Sequence, residues 1–394
     1  MELTTQKQED LVALCRQLIS IPSVTGQEEK LAQYIKKEML ARGFDQAWID
    51  EVGNVIGVVK GHKKGKKVLF DGHLDTVEVP SPEEWENPPF AGKVVDGKIY
   101  GRGASDMKGA LAAMIFAVGE LAAQKEELCG EIYVSGTVHE EIAEGVSLGY
   151  VIEKIKPDVV VIGEASQLRI NIGQRGRGEL VVKTLGKAAH SSNPGVGVNA
   201  VYQMTKVIKA IQEMELPVDD LLGPAILELT DIISSPYPGA SVVPEKCTAT
   251  YDRRLLVGDT IEGIVADVEQ QLAKLGKDPQ FKAEVSVAVN DYTTYTGFKV
   301  KSPRFAPAWK IDKDHPVVLQ AKKAMEEAEL PFALGAYSFC TNGSSSAGIY
   351  GIPTIGFGPG RETEAHIKDE YLELDQLKKS AVGYYHLAKV FTQG

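Results

Sequence analysis

Apolar residues near the N-terminus recur every three or four positions, at Leu11, Leu14, Cys15, Leu18 and Ile19. That spacing predicts an amphipathic helix over Gln8 to Ile19, stopped by Pro22. A second helix is predicted over about Glu28 to Arg42, with Gly43 as its C-cap signal. Short apolar runs at Val55 to Lys60 and Lys67 to Asp71 read as strands, and the lysine-rich Lys60 to Lys67 reads as a solvated hairpin turn between them. Strands and helices then alternate: a helix at Ala110 to Ala123, a strand at Glu131 to Val138, a helix at Gly145 to Lys154 and a strand at Val159 to Ile162. Such alternation indicates an α/β domain built on a central, largely parallel sheet flanked by helices.

The pattern changes near Gly178. A strand begins at Glu179, followed by a helix over Val198 to Met214, strands at Ile226 to Ile233 and Lys246 to Leu256, a helix at Thr260 to Leu275 and a strand at Ala283 to Val289. Four strands and two helices in this order fit a compact α+β module, ferredoxin-like in outline, inserted into the larger domain. After Thr296 the first pattern resumes with a helix at His315 to Ala328, a glycine- and serine-rich loop at Thr341 to Gly348, a strand in IPTIGFGPG and a helix at Leu374 to Thr392. The expected division is 1–178 with 296–394 for the larger domain and 179–295 for the insert.

Composition narrows the possible partners. Among 394 residues, 43% are hydrophobic, 25% are charged, and the net charge is −11. With no basic stripe, a nucleic-acid or anionic-membrane partner is not expected. Four cysteines without CxxC spacing (Cys15, Cys129, Cys247, Cys340) read as reduced thiols. No window approaches the roughly 20 apolar residues needed to span a bilayer, and MELTTQKQED lacks an apolar signal core, so a cytoplasmic location is the expectation.

The candidate chemistry lies where apolar strands end. VLFDGHLDTV delivers His73 and Asp75, GRGASDMKG places Asp106 ahead of an apolar helix, and HEEIAEG supplies Glu140 and Glu141. GEAS adds Glu164, and EAHIKDE adds His366. One acidic residue alone is ordinary surface. Carboxylates that each follow an apolar strand must be paired or bound to metal, because burying an unpartnered charge costs several kcal/mol. Two histidines and five carboxylates in this arrangement suit a two-metal hydrolytic site. Period-two alternation puts His73 and Asp75 on one face, so Asp75 is expected to accept the imidazole's other N–H through its carboxylate. Ligands that mix His and carboxylate without thiolate suit zinc, cobalt or manganese and favour a catalytic site over a structural one.

The motifs DGHLDTV, GRGASDMKG, HEE, GEAS, GKAAHSS and GFGPG followed by EAH resemble the M20 family of metallohydrolases over essentially the whole chain. That family includes acetylornithine deacetylase, succinyl-diaminopimelate desuccinylase and carboxypeptidase G2. The TYTG segment at Tyr295 and the CTNGSSS loop are similar to a branch of hydrolases linked to selenium metabolism. The resemblance implies two divalent ions, zinc first, with cobalt or manganese as alternatives. It implies His73 and Glu164 on one ion, Glu141 and His366 on the other, Asp106 bridging, Glu140 as general base and Asp75 orienting His73. It also implies a cis peptide after Asp106, a homodimer formed through the insert, and His190 reaching the partner subunit's active site as an oxyanion donor.

The implied reaction is hydrolysis of an N-acyl amino acid or a short peptide. A dipeptidase or carboxypeptidase of the same family and a catalytically silent metal-binding scaffold are the alternatives. Arg175 and Arg254 could meet a substrate carboxylate, with Thr341, Asn342 and Gly358 expected in the pocket wall. Ser241 stands in SVVP where many members of the family carry Asn.

Overall fold

A computed structural model describes residues 1–276 and 278–393, which form two compact units. The first comprises Met1–Gln174, Asp291–Val300 and the chain from Trp309 onward, and the second comprises Arg175–Asn290 with Lys301–Ala308.

The first unit is organised by one mixed sheet. Its strands lie in the order Gln46–Ile49, Val55–Lys60, Cys129–Thr137, Lys63–His73, Val159–Ile162, Thr354–Gly356, Ile170–Gln174 and Trp309–Lys310. Leu334–Tyr337 also pairs with Ile170–Gln174. The four middle strands, from Cys129–Thr137 to Thr354–Gly356, are mutually parallel; outside them Gln46–Ile49, Val55–Lys60, Ile170–Gln174 and Trp309–Lys310 join antiparallel, while Leu334–Tyr337 joins parallel. Lys60 to Lys67 is therefore not a hairpin turn. Cys129–Thr137 lies between the two strands that this segment connects, pairing antiparallel with one and parallel with the other.

Alternate residues of the middle strands enter two different cores. Val68, Phe70, Val159 and Val161 pack with the helices Thr5–Ile19, Glu29–Ala41, Gly109–Ala122, Pro316–Glu327 and Leu374–Gln393. Leu69, Val160 and Ile162 face the other way, onto Leu148, Val151 and Ile152 of the helix Val146–Ile155. The helix Gly109–Ala122 has buried residues on every side, as expected for an apolar helix enclosed by other layers. Covered on both faces, the parallel strands read as continuous apolar runs and direct their C-terminal ends to one edge.

The second unit is an antiparallel sheet in the order Ile226–Ser235, Lys246–Leu255, Gly176–Leu185 and Ala283–Val287, with Phe305–Ala306 also paired to Gly176–Leu185. Helices Ala200–Gln212 and Ile261–Ala273 share a core with Leu180, Val182, Ala249 and Tyr251 of this sheet. Asn199 and Thr260 cap the helices through their side-chain oxygens. The edge strand Ile226–Ser235 leaves Ile226, Ile232 and Ile233 exposed.

Candidate metal centre

Register sets the site. His73 pairs with Thr137, and Asp71 pairs with Ile162, so three parallel strands end at the same level. His73 is the last residue of its strand, Glu140 and Glu141 follow the second, and Glu164 follows the third by two residues. Asp106 projects from the turn Ala104–Lys108 that leads into Gly109–Ala122, and its peptide bond to Met107 is cis, as the resemblance implies. His366 comes from a loop in which its own φ is 61°.

These side chains converge on Asp106. One of its carboxylate oxygens lies 2.9 Å from His73 Nε2 and the other 3.1 Å from His366 Nε2. His73 Nε2 is 3.5 Å from Glu164, and His366 Nε2 is 2.9 Å from Glu141. Glu140 joins His73 and Glu164 in a group whose ligand atoms all lie within 4.8 Å of one another. The two halves differ in access: the His73 side chain is 1% exposed and that of His366 is 52% exposed.

Charge is poorly compensated by protein cations here. Burial pushes the Glu140 and Glu164 carboxyls well above their ordinary range and also raises Glu141. Burial would lower the His73 imidazole, but the Asp106 hydrogen bond and the charges of Glu164 and Glu140 outweigh it and hold it well above its usual value. Hydrogen bonds that its Nε2 donates to Asp106 and Glu141 lift His366 to about 10. Burial also favours neutral Asp106, yet the two histidines hold it below the usual carboxylate range. One oxygen each of Glu140 and Glu141 is buried without a hydrogen-bond partner. Acceptors that converge without donors need cations, and His/carboxylate donor sets fit divalent ions such as zinc.

Asp75 works differently from the sequence expectation. His73 Nδ1 donates to the Asp75 main-chain carbonyl at 2.8 Å, while the nearest Asp75 carboxylate oxygen is 3.9 Å away. The carboxylate instead accepts the Glu140 and Glu141 N–H groups at 3.0 and 3.1 Å and the Thr25 hydroxyl at 2.9 Å. With Nδ1 as donor, it is Nε2 of His73 that faces the centre, and loss of its proton would free a lone pair for an ion.

Three expected pocket residues prove to be internal. The Thr341 hydroxyl is bonded to Gln174 and receives the Gly343 N–H. The Asn342 amide donates to Asp71 and Thr137, and its oxygen accepts from Gly145. Both side chains are buried and their hydrogen bonds are spent within the protein. The Gly358 N–H donates to Ser166, and a Cβ there would press on the Gly163 and Glu164 carbonyl oxygens, so this glycine serves a close backbone approach. In the second unit, Arg254 pairs with Asp252 at 2.8 Å, and Arg177 pairs with the same carboxylate at 2.9 Å. Arg175 donates to the Pro224 carbonyl. His190 is exposed, and its Nδ1 accepts the Ser192 N–H at 3.1 Å, which leaves Nε2 as the donor.

Glu370 is the residue that sequence reasoning missed. Fully buried, it receives Arg102 at 2.7 Å and the N–H groups of Gly103, Ser105 and Asp106 at 3.1, 2.8 and 3.1 Å. Burial pushes its carboxyl up to about 7, against the pull of Arg102. It sits in the quoted EAHIKDE segment, but nothing in that charged run marks one carboxylate as interior.

Residues 69–390 match the profile described as peptidase family M20/M25/M40. The chain is 34% identical over 379 residues to the protein YgeY of Escherichia coli K12, covering 94% of this chain and 91% of that one. It is 27% identical over 403 residues to an N-formyl-4-amino-5-aminomethyl-2-methylpyrimidine deformylase of Halalkalibacterium halodurans, covering 94% and 92%. Its fold is similar to that of the Bacillus subtilis YxeP protein, described as a dinuclear metal-binding peptidase of the M20 family, with TM-score 0.74 at 14% identity over 99% of both chains.

Proposed function

The chain belongs to peptidase family M20/M25/M40, and from that premise we propose that it is a two-metal amide hydrolase. Its substrate in this reading is an N-acyl amino acid or a short peptide. The observation that carries the reading is Asp106, with one carboxylate oxygen toward His73 and the other toward His366, each histidine with its own glutamate. His73 and Glu164 would hold one ion, His366 and Glu141 the other, and Asp106 both. When bound, zinc, or cobalt or manganese in its place, supplies a water acidified to near neutrality and polarises the scissile carbonyl.

The remaining steps belong to the chain. Glu140 keeps one buried oxygen without a hydrogen-bond partner, which supports its role as the base that takes the water proton and returns it to the leaving amine. Asp75 holds Glu140 and Glu141 by their N–H groups and fixes His73 through its carbonyl. His190 Nε2 is the oxyanion donor in this reading, offered to the partner subunit of a homodimer. The exposed isoleucines on the edge strand Ile226–Ser235 support pairing of the second unit with its copy. Among the described residues no helix is long and apolar enough to cross a membrane, and the four cysteines are free, which supports a cytoplasmic site of action.

The test is Glu140→Gln, assayed with N-acetyl, N-succinyl, N-formyl and dipeptide substrates. Elemental analysis should return close to two transition metals per chain for both proteins, while turnover in the variant falls by roughly 10²–10⁴-fold. Near-normal turnover would remove Glu140 from its role, and protein purified without chelator but lacking metal would sink the mechanism.

A further inference from the structure

Glu140 and Glu141 sit on a stretch of chain with little regular structure to hold it. Between the strand Cys129–Thr137 and the helix Val146–Ile155 only the short turn Glu140–Ile142 is helical, and His139 and Gly145 take φ values of 58° and 80°. Asp75 fixes the middle of this loop through the Glu140 and Glu141 N–H groups. Its two ends are closed separately, by the side-chain amides of Asn54 and Asn342.

The chain leaves Asn54 at Val138 and returns to it at Ser147. The Asn54 carboxamide oxygen accepts the Val138 N–H at 3.1 Å, and its NH₂ group donates to the Ser147 carbonyl at 3.2 Å. Asn342 repeats the arrangement from another segment. Its oxygen accepts the Gly145 N–H at 2.7 Å, and its NH₂ group donates to the Thr137 hydroxyl at 2.9 Å. A buried aspartate anchors each amide in turn: Asn54 donates to Asp50 at 3.0 Å, and Asn342 donates to Asp71 at 2.9 Å. Asp50 also accepts the Val52, Gly53 and Asn54 N–H groups, and Asp71 accepts the Ser135 hydroxyl. All four of these side chains are buried.

The bonding pattern selects asparagine. Each position accepts one N–H and donates twice, which a carboxamide does and a carboxylate of the same size cannot. Ordering an irregular loop costs conformational entropy. A loop closed at both ends meets that cost when the protein folds, before an ion or a substrate arrives.

We propose that Asn54 and Asn342 are positioning residues, whose carboxamides close loop 138–147 at its two ends and so hold Glu140 and Glu141 in working position. This inference rests on the amide-hydrolase reading above, in which Glu140 is the base and Glu141 a ligand.

Asn54→Asp and Asn342→Asp test it, because each keeps the size and the acceptor and loses the donors. The bonds of Asn54 do not involve the His73 strand. Calorimetric titration of folded, metal-free Asn54→Asp with zinc should therefore show one of the two binding steps weakened about 10–100-fold and the other unmoved. On the best substrate of the Glu140→Gln assay, kcat should fall by a similar factor in each variant with KM little changed, a split that a general loss of stability would not produce. The exchanged pair Asp71→Asn/Asn342→Asp again sets a donor against an acceptor and should recover most of the kcat lost in Asn342→Asp. A further arm uses the metal-free wild type and needs no variant to fold: in hydrogen exchange the Val138 and Gly145 N–H groups should be as protected as those of the strand Cys129–Thr137. Rapid exchange at both, or variants with wild-type zinc affinity and kcat, would overturn the assignment and leave the hydrolase reading intact. Loss of the hydrolase reading looks different: metal-loaded wild type and Glu140→Gln would be equally inert, while the exchange arm would still report on the loop.

Discussion

Glu370→Gln tests whether a buried carboxylate away from the ligand shell sets the position of Asp106. In the native protein one Glu370 oxygen accepts from Arg102 and Gly103, and the other accepts from Ser105 and Asp106. Glutamine replaces one of those oxygens with an NH₂ group, so two donors lose their acceptor and face a third. The Arg102 guanidinium, 5.2 Å over the Trp85 ring and 4% exposed, is left without its counter-charge. Removing one partner of a buried ion pair costs about 3–5 kcal/mol, a large share of the roughly 5–15 kcal/mol that holds a typical protein folded. Urea unfolding of metal-free protein at pH 8, above the value near 7 for this carboxyl, should register that loss. The metal titration of folded variant should also weaken by about 10–100-fold, the usual effect of losing a group that orients a ligand. A double-mutant cycle with Arg102→Met separates the pair from the N–H contacts, and its coupling should exceed about 1 kcal/mol. A stability loss below that figure with unaltered metal affinity would refute the argument.

Two further outcomes follow from buried charge. Glu28 accepts the Gly26 and His139 N–H groups on one oxygen, and its other oxygen is buried and unpartnered. Burial, with Asp75 adding repulsion, pushes its carboxyl up to about 7. The folded state therefore keeps a proton that the unfolded chain releases near pH 4.5. Its contribution is full below that pH and is lost as pH rises through 7, by up to roughly 3 kcal/mol. Glu28→Gln should flatten the decline between pH 5 and 8 in urea unfolding, and a variant with the wild-type slope would contradict this. Chelation should lower the melting temperature, since ions bound only by the folded state stabilise it by about 2.7 kcal/mol at a hundredfold excess over Kd. A melting curve indifferent to chelator and added zinc would be the contrary result.

Strand ends were the most legible part of the chain. Apolar runs ending in His73, Glu141 and Glu164 could be read directly, because strands covered on both faces are nearly all apolar and a carboxylate beyond them stands out. Long-range pairing could not be read in the same way. The lysine-rich stretch carries the local signals of a hairpin, and nothing near it shows that Cys129–Thr137 inserts between its two strands. The side-chain partners of Thr341 and Asn342 were hidden for a related reason: nothing in a glycine-rich loop points to Gln174, Asp71 and Gly145, which only the fold brings into hydrogen-bond range. Glu370 stayed hidden because its neighbours are polar and its burial comes from residues more than 260 positions earlier.

Asp75 has two chemically distinct tasks, and they differ in what heredity can alter. Its carbonyl, which fixes His73, belongs to the main chain and survives most substitutions; its carboxylate, which holds the Glu140–Glu141 turn, belongs to the side chain and does not. A missense change at this codon would therefore dissect the centre along a seam, leaving the imidazole tautomer in place while releasing the two glutamates. Of the two strand ends that Asp75 joins, only one is exposed to point mutation.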